Sequence, residues 1–466
     1  MASRKKPFKY CEGAPSWNPT TYIADAPLHE RAEALLAKDD FASAITTSFS
    51  LPPPNRDKYT YHAIVSVTLS EVQHVISLGR QNGLHAWYFA PSSTPDGTTP
   101  SPSADSNATD ITTTTSDPHP HPQPKKQILT SLPPPPRADI EAYLSFFTPT
   151  TTTASALKSL HSNAKKSSLR LSIASYLLSK RFLHPTLPHL SIPKLGKKST
   201  APPNPYLQYL RWSCLALEYG GPSPAATLAG LRSHHVLPVL MHHFGCACPT
   251  HEALSILSLV AAGREVLDIG SGGGYWTFML RAYGARAVAV DNAQSAWRVN
   301  WVDDTVICEG AAYLAKRRAR KIKESGGTGN TKGEEDAVDP DEPVLLLVYP
   351  IVGGSVAGGS EGGFTRAMLD AYSGDTLAVV GTQNRNGYTG FRGESMDEYM
   401  EREQSSRGWV KIVQIALPSF PGKDEALFVF QRGDRAPKDV DVRQVEKDKD
   451  KKESEGASSS DNKGVT

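Results

Sequence analysis

Residues 265–280 read EVLDIGSGGGYWTFML, and the four glycines among positions 270–274 decide the fold. That much backbone freedom would ruin a helix or a strand, yet apolar runs flank it on both sides. EVLDI reads as a strand and YWTFMLRAYG as a helix. Glycine between them allows positive φ and lets the backbone approach a ligand with no Cβ in the way. In a doubly wound sheet the first strand-to-helix turn faces the crevice where ligands bind. The helix opening near Tyr275 then points its N-terminal amides into the same crevice.

Downstream of this turn, short β-rich runs alternate with helical ones. ARAVAV is a strand ending at Asp291, TVIC a short strand, AAYLAKRRARKIK a helix and VLLLVYP a strand. FTRAMLDAYSG is a helix, DTLAVVG a strand and SMDEYMEREQSSRG a helix, and two strands, WVKIVQIAL and EALFVFQR, close the series. Such alternation predicts an α/β fold, a seven-stranded mostly parallel sheet with helices on both faces. The last two strands are joined only by PSFPGKD, too short for a parallel crossover, so the last strand is expected antiparallel.

Upstream, Leu, Ala and aromatic residues recur at three- and four-residue spacing, which predicts a helical N-terminal region. Its helix candidates are HERAEALLAK, LSEVQHVISLG, ADIEAYLSFF, SLRLSIASYLLSKRFL, PYLQYLRWSCLALEYGG, SPAATLAGLRSH, HVLPVLMHHFG and PTHEALSILSLVAAG. Composition divides the chain further. Residues 91–137 are Ser, Thr and Pro with few apolar side chains and cannot bury enough surface to offset their ordering entropy, so they are expected to be disordered. The polar insert 324–343 and the charged tail 436–466 read alike. The expected organisation is a helical or irregular region at 1–90, the linker at 91–137, a helical region at 138–249 and an α/β domain at 250–435.

At 466 residues, with 39% hydrophobic and 21% charged, the chain has enough apolar material for one large or two smaller domains. A formal charge of +2 provides no global field for recruiting nucleic acid or anionic membrane, and RKKPFK, PKK and GKK are short runs beside polar segments. Five scattered cysteines make no disulfide framework and fit a reducing compartment. The basic start lacks the apolar core of a signal peptide, and no run of about 18 apolar residues spans a bilayer. The expectation is a soluble protein of the cytoplasm or nucleus.

The loop spacing separates two ligands. A dinucleotide fingerprint, G-x-G-x-x-G, needs its third glycine where this chain has Tyr275. That disfavours a nicotinamide oxidoreductase. Here Asp268 stands two residues before Gly270, Ser271, Gly272 and Gly274, and Asp291 lies at the end of the second strand, where a carboxylate can accept both ribose hydroxyls. Carried by those residues, the stretch resembles the first motif of class I S-adenosylmethionine-dependent methyltransferases, over residues 265–432. The resemblance implies S-adenosyl-L-methionine as cofactor, the glycines and Asp268 beneath its methionine part, and Asp291 with Asn292 at the ribose. It implies an acidic residue near the adenine amine, for which Glu309 stands one or two places off the common position. Trp297 and Trp301 could flank the adenine or belong to the core. Substrate candidates follow the fourth and fifth strands. Amine-methylating relatives place Asn or Asp before two prolines where this chain has Tyr349 and Pro350, so an adenine or glutamine amine target is not supported. GTQNRNGYTGFRG, 381–393, gathers Gln383, Asn384, Arg385, Asn386, Tyr388, Phe391 and Arg392, and Tyr349, Asn384 and Tyr388 are the candidate catalytic residues. HHFGCACPTH, 242–251, collects His242, His243, Cys246, Cys248 and His251. Such donors suit zinc, but the spacing matches no common finger, and a wall of the cofactor pocket is expected rather than a metal site. The function implied is methyl transfer to an acceptor that is a small molecule, a protein or RNA. The alternative is a scaffold that keeps the fold without catalysis.

Overall fold

The computed structural model describes residues 17–51, 59–62, 66–79, 86–91, 129–196, 198–224, 234–292, 299–324, 338–351, 361–385, 389–391 and 393–438. A mixed sheet organises them. Its strands are β1 (Phe182–Leu183), β2 (Val266–Ile269), β3 (Ala287–Asp291), β4 (Val306–Ile307), β5 (Val344–Val348), β6 (Thr376–Thr382), β7 (Val410–Ala416) and β8 (Glu425–Gln431), in the spatial order β1-β7-β8-β6-β5-β2-β3-β4. β4, β3, β2, β5 and β6 are parallel to their neighbours, and β8 inserts antiparallel between β6 and β7. The expectation of an antiparallel last strand therefore holds. β5, β6 and β8 have almost no polar alternation because both sheet faces are covered.

The strand count is one higher than expected. β1 adds an eighth strand at the β7 edge, pairing Phe182 with Gln414 and Leu183 with Val413 antiparallel. The helix before it stops at Lys180, and Arg181 is already extended. A two-residue strand carries no period of its own, so those residues read as the tail of the helix. The run from 395 also departs from a single helix. A capping box from Ser395 to Glu398 opens a short α-turn at Met396–Tyr399, which widens to a π-turn at Met400–Gln404 and closes as a 3-10 turn at Ser405–Arg407.

Helices α1 (Pro205–Ala216), α2 (Val236–Phe244), α3 (His251–Ala261) and α4 (Tyr275–Ala282) share one core with the inner face of the sheet. Helices α5 (Gly310–Glu324) and α6 (Gly363–Ala371), with Met396–Tyr399, close the opposite face. The first ninety residues are not a separate unit. Trp17, Tyr22 and Phe49 join the α1–α4 core, and the Trp17 ring meets Trp301 edge-on at 5.2 Å. Trp301, offered either to the adenine or to the core, is 1% exposed, and its indole N–H donates to the His243 carbonyl at 2.7 Å. It is a core residue, and Trp297 lies outside the described residues.

The end of the segment expected to be disordered takes structure. Leu129–Ser131 pairs antiparallel with Phe89–Pro91, and Trp87 and Tyr88 anchor this ribbon by donating to the Leu217 and Gly221 carbonyls at 2.6 and 2.9 Å. Two aromatic residues just upstream supply the buried surface that the Ser/Thr/Pro composition lacks. Residues 92–128, nearly all of the 225–233 helix candidate's span, 325–337 and 439–466 lie outside the described residues. At the end of the polar insert, Asp339 is paired with Lys321 and bridges the Gly374 backbone. Among the described residues no helix is long and apolar enough to cross a membrane.

Candidate functional site

The crevice lies at the C-terminal ends of the parallel strands. After β2 the chain turns through Gly270, Gly272 and Gly274 at φ +77°, +55° and +77°, all left-handed. Gly274 caps α4 in that conformation, and a Cβ there would stand 2.5 Å from Val302 Cγ2. Any other residue would be strained and would collide. The Gly270 and Ser271 amides donate to the Val290 carbonyl at 2.8 and 3.2 Å, and the Trp301 amide donates to the Gly273 carbonyl at 2.7 Å. The loop is thus stitched to β3 on one side and to the segment after it on the other.

Two carboxylates frame this loop in different states. Asp268, 1% exposed, accepts from the Thr277 hydroxyl at 2.8 Å through Oδ2, while Oδ1 has no partner among the described residues. Burial pushes its carboxyl up to about 7, with the Thr277 hydrogen bonds opposing the shift. Asp291, half-buried at the end of β3, accepts from the Gly272 amide at 3.0 Å. One strand further out, Asn292 donates to Glu309 at 2.9 Å, and Glu309 is exposed just before α5. So the fold does bring together Asp268, Gly270, Ser271, Gly272, Gly274, Asp291, Asn292 and Glu309.

The upstream helices meet the same loop. The Tyr275 hydroxyl, on the first residue of α4, donates to Asn204 Oδ1 at 2.7 Å and accepts from the Tyr206 amide at 3.3 Å. Trp276 donates to the Ala247 carbonyl at 2.9 Å. Residues 242–251 therefore stand against the start of α4, next to the glycine turn. Burial raises the Cys246 and Cys248 thiols, which keeps them protonated. No group of three or more His, Cys, Asp or Glu among the described residues could hold a metal ion.

The acceptor end begins at Tyr349. Register pairs Ile269 on β2 with Leu347 on β5, so Tyr349 emerges level with the start of the glycine loop one strand away. It is 6% exposed, its φ is +51°, and its amide donates to the Val380 carbonyl at 2.7 Å. Its hydroxyl reaches over β6 and donates to Glu425 Oε1 at 2.9 Å. Glu425, the first residue of β8, is opposite Thr382 in the register and also accepts from the Phe420 amide at 3.1 Å. Burial raises the Glu425 carboxyl, partly held down by hydrogen bonds and by Lys423, and burial lowers the Lys423 ammonium. Beside them, Gln383 donates to Asp424 Oδ1 at 2.9 Å and the Tyr176 hydroxyl donates to Oδ2 at 2.5 Å. Burial pushes Asp424 up to about 6 despite these bonds.

Of the loop after β6, Gln383 is buried in this network, and Asn384 is half-buried with an Oδ1 that has no hydrogen-bond partner among the described residues. Arg385 pairs with Glu398 at 2.6 Å, and Phe391 packs on Tyr399 with ring centroids 4.1 Å apart. Asn386, Tyr388 and Arg392 lie outside the described residues. Sequence reasoning missed Glu425, Asp424 and Lys423. Three charged residues in a row, Lys423-Asp424-Glu425, ahead of an apolar strand look like a solvated turn, and nothing local reveals their burial.

No family model matches the chain, and no curated protein matches it. Among solved structures it is similar to the O-methyltransferase from Bacillus cereus in complex with S-adenosylhomocysteine, at 13% identity over 41% of this chain and 84% of that one, TM-score 0.25. It is also similar to magnesium protoporphyrin IX methyltransferase from Synechocystis with bound S-adenosylhomocysteine, at 14% identity over 38% of this chain and 80% of that one, TM-score 0.22. A Streptococcus mutans protein provisionally named an S-adenosylmethionine-dependent methyltransferase is matched at 13% identity over 38% of this chain, which spans 46% of its length, TM-score 0.24. Likenesses this low leave the assignment resting on this chain's own strand order, with its inserted antiparallel strand, and on its glycine loop. By those features the chain has the fold of the class I S-adenosylmethionine-dependent methyltransferase superfamily.

Proposed function

We propose that this protein binds S-adenosylmethionine at the glycine loop and uses it to methylate an acceptor held at the C-terminal ends of β5 and β6. The observation that carries the reading is the Gly272–Asp291 hydrogen bond, which fixes a carboxylate at the second strand's end beside a left-handed glycine turn. Asp291 and Asn292 would take the ribose, Gly270, Ser271, Gly272 and Gly274 the methionine part with Asp268 beneath them, and Glu309 the adenine amine. The helices of residues 138–249 would wall the pocket through Asn204 and Tyr206.

When bound, the cofactor supplies an electrophilic methyl group on a sulfonium, and the chain supplies orientation and exclusion of water. Tyr349, Asn384 and Tyr388 would hold the acceptor, whose class is a small molecule, a protein or RNA. Isothermal titration with S-adenosylmethionine, S-adenosylhomocysteine and NAD tests the reading. Binding of the first two at micromolar affinity and no heat with NAD supports it, and the reverse pattern rejects it.

A further inference from the structure

Tyr349 is the one non-glycine residue in the crevice region with left-handed backbone among the described residues, and it is aromatic. Such a conformation costs on the order of 1–3 kcal/mol and persists only where its surroundings impose it. Here it follows the last residue of β5 and sends the phenol sideways across β6 to a carboxylate on β8. A shorter side chain could not span that gap, since neighbouring strands lie about 4.8 Å apart.

We propose that Tyr349 and Glu425 form a proton-accepting pair at the acceptor end of the crevice, and that the methyl acceptor is a hydroxyl group. The proposal rests on the methyltransferase reading and adds the acceptor class to it. A phenol oxygen that donates to one carboxylate can accept a hydrogen bond from a second hydroxyl at the same atom. An acceptor hydroxyl bound there has a path for its proton, to the Tyr349 oxygen as the Tyr349 proton moves to Glu425.

In the transfer, the acceptor oxygen–carbon bond forms while the carbon–sulfur bond breaks, and that bonding pair stays on sulfur. The acceptor's proton moves to Tyr349 and the Tyr349 proton to Glu425, which ends as a neutral acid. The reaction removes one positive charge from sulfur and one negative charge from Glu425, an annihilation favoured where both are desolvated. Burial already raises Glu425 toward the range in which a carboxylate serves as a base near neutral pH. A carboxylate acceptor carries no proton at neutral pH and needs no such pair, and an amide-type amine needs the Asn or Asp that Tyr349 replaces. A hydroxyl is the acceptor that these residues serve. Tyr349 would be the catalytic residue and Glu425 the positioning residue behind it.

The test uses the full chain, tritium-methyl S-adenosylmethionine and size-fractionated cell extract. The label incorporated is classified chemically, and wild type is compared with Tyr349→Phe and Glu425→Gln. The expected label withstands mild base and is released as methyl iodide by hydriodic acid, the behaviour of a methyl ether. Both variants should keep melting temperature within a few degrees and S-adenosylmethionine affinity within threefold by titration. Their kcat should fall at least a hundredfold, with KM for S-adenosylmethionine unchanged. If Glu425→Gln does not fold, Tyr349→Phe alone carries the kinetic comparison. Base-labile label, label that resists hydriodic acid, no label in any fraction, or a rate preserved in Tyr349→Phe overturns the proposal. Loss of S-adenosylmethionine binding in the wild type would instead sink the underlying reading, and the titration separates the two failures.

Discussion

The amide of Gly272 donates to the carboxylate of Asp291 at 3.0 Å, across nineteen residues of sequence. One oxygen of the carboxylate proposed for the ribose thus also holds the glycine loop to the end of β3. Loop shape and ligand binding are coupled through a single side chain, so substitutions at Asp291 can separate the two.

Asp291→Asn keeps an oxygen acceptor for Gly272 and loses the charge, whereas Asp291→Ala loses both. Asparagine should leave the melting temperature within a few degrees yet weaken S-adenosylmethionine by about 2 kcal/mol, roughly thirtyfold. Alanine should lower both affinity and melting temperature. Equal affinities for wild type and Asp291→Asn, measured by titration calorimetry, would remove the carboxylate from the ligand site.

Gly274→Ala should be costly for two separable reasons. The left-handed φ of +77° strains any Cβ, and that Cβ would sit 2.5 Å from Val302 Cγ2. Together these should destabilise the chain by roughly 2 kcal/mol or more. In chemical denaturation, adding Val302→Ala should return the collision part and leave the backbone part. A neutral Gly274→Ala would mean that the turn relaxes freely.

Asp268 makes a signed prediction about pH. Its carboxyl rises to about 7 from an ordinary value of 3.8, so the folded state holds the proton more tightly than the unfolded chain. Its contribution is therefore fully favourable below about 4 and is lost as pH climbs toward 7. Relative to wild type, Asp268→Asn should gain stability between pH 4 and pH 8, by up to about 4 kcal/mol from a shift of that size. Paired denaturation curves at the two pH values check this, and a difference that is flat with pH would show that Asp268 titrates normally.

The loop after β6 should govern turnover and spare the cofactor. Asn384 leaves the sheet two residues beyond Thr382, on the Tyr349 side of the crevice and away from Gly270. Asn384→Ala and Tyr388→Ala should hold S-adenosylmethionine affinity within about threefold, under 1 kcal/mol. Turnover should fall tenfold or more, because displacement requires the nucleophile in line. Cofactor affinity that falls in step with turnover would place this loop at the other end of the crevice.

The fold's outline was legible because its signals are local. A glycine cluster between a strand and a helix, an acid closing the next strand, and apolar runs of strand length each declare themselves within some twenty residues of chain. The short link before EALFVFQR even fixed the direction of the last strand. The eighth strand was not legible, since Phe182 and Leu183 are extended only because β7 offers them an edge. Nor was the burial of Trp301, which depends on Trp17 and Tyr22 returning from far upstream.

The sequence by itself determined the glycine turn and the residues gathered around it, because strand ends bring them together whatever packs outside. Tertiary structure alone decided what stands at the acceptor end. Tyr349 and Glu425 are 76 residues apart and meet because β8 inserts beside β6 and the helical layer seals them from water. Desolvation then raises the Glu425 carboxyl and lowers the Lys423 ammonium, an effect no local pattern encodes, since it comes from the side chains that exclude the solvent.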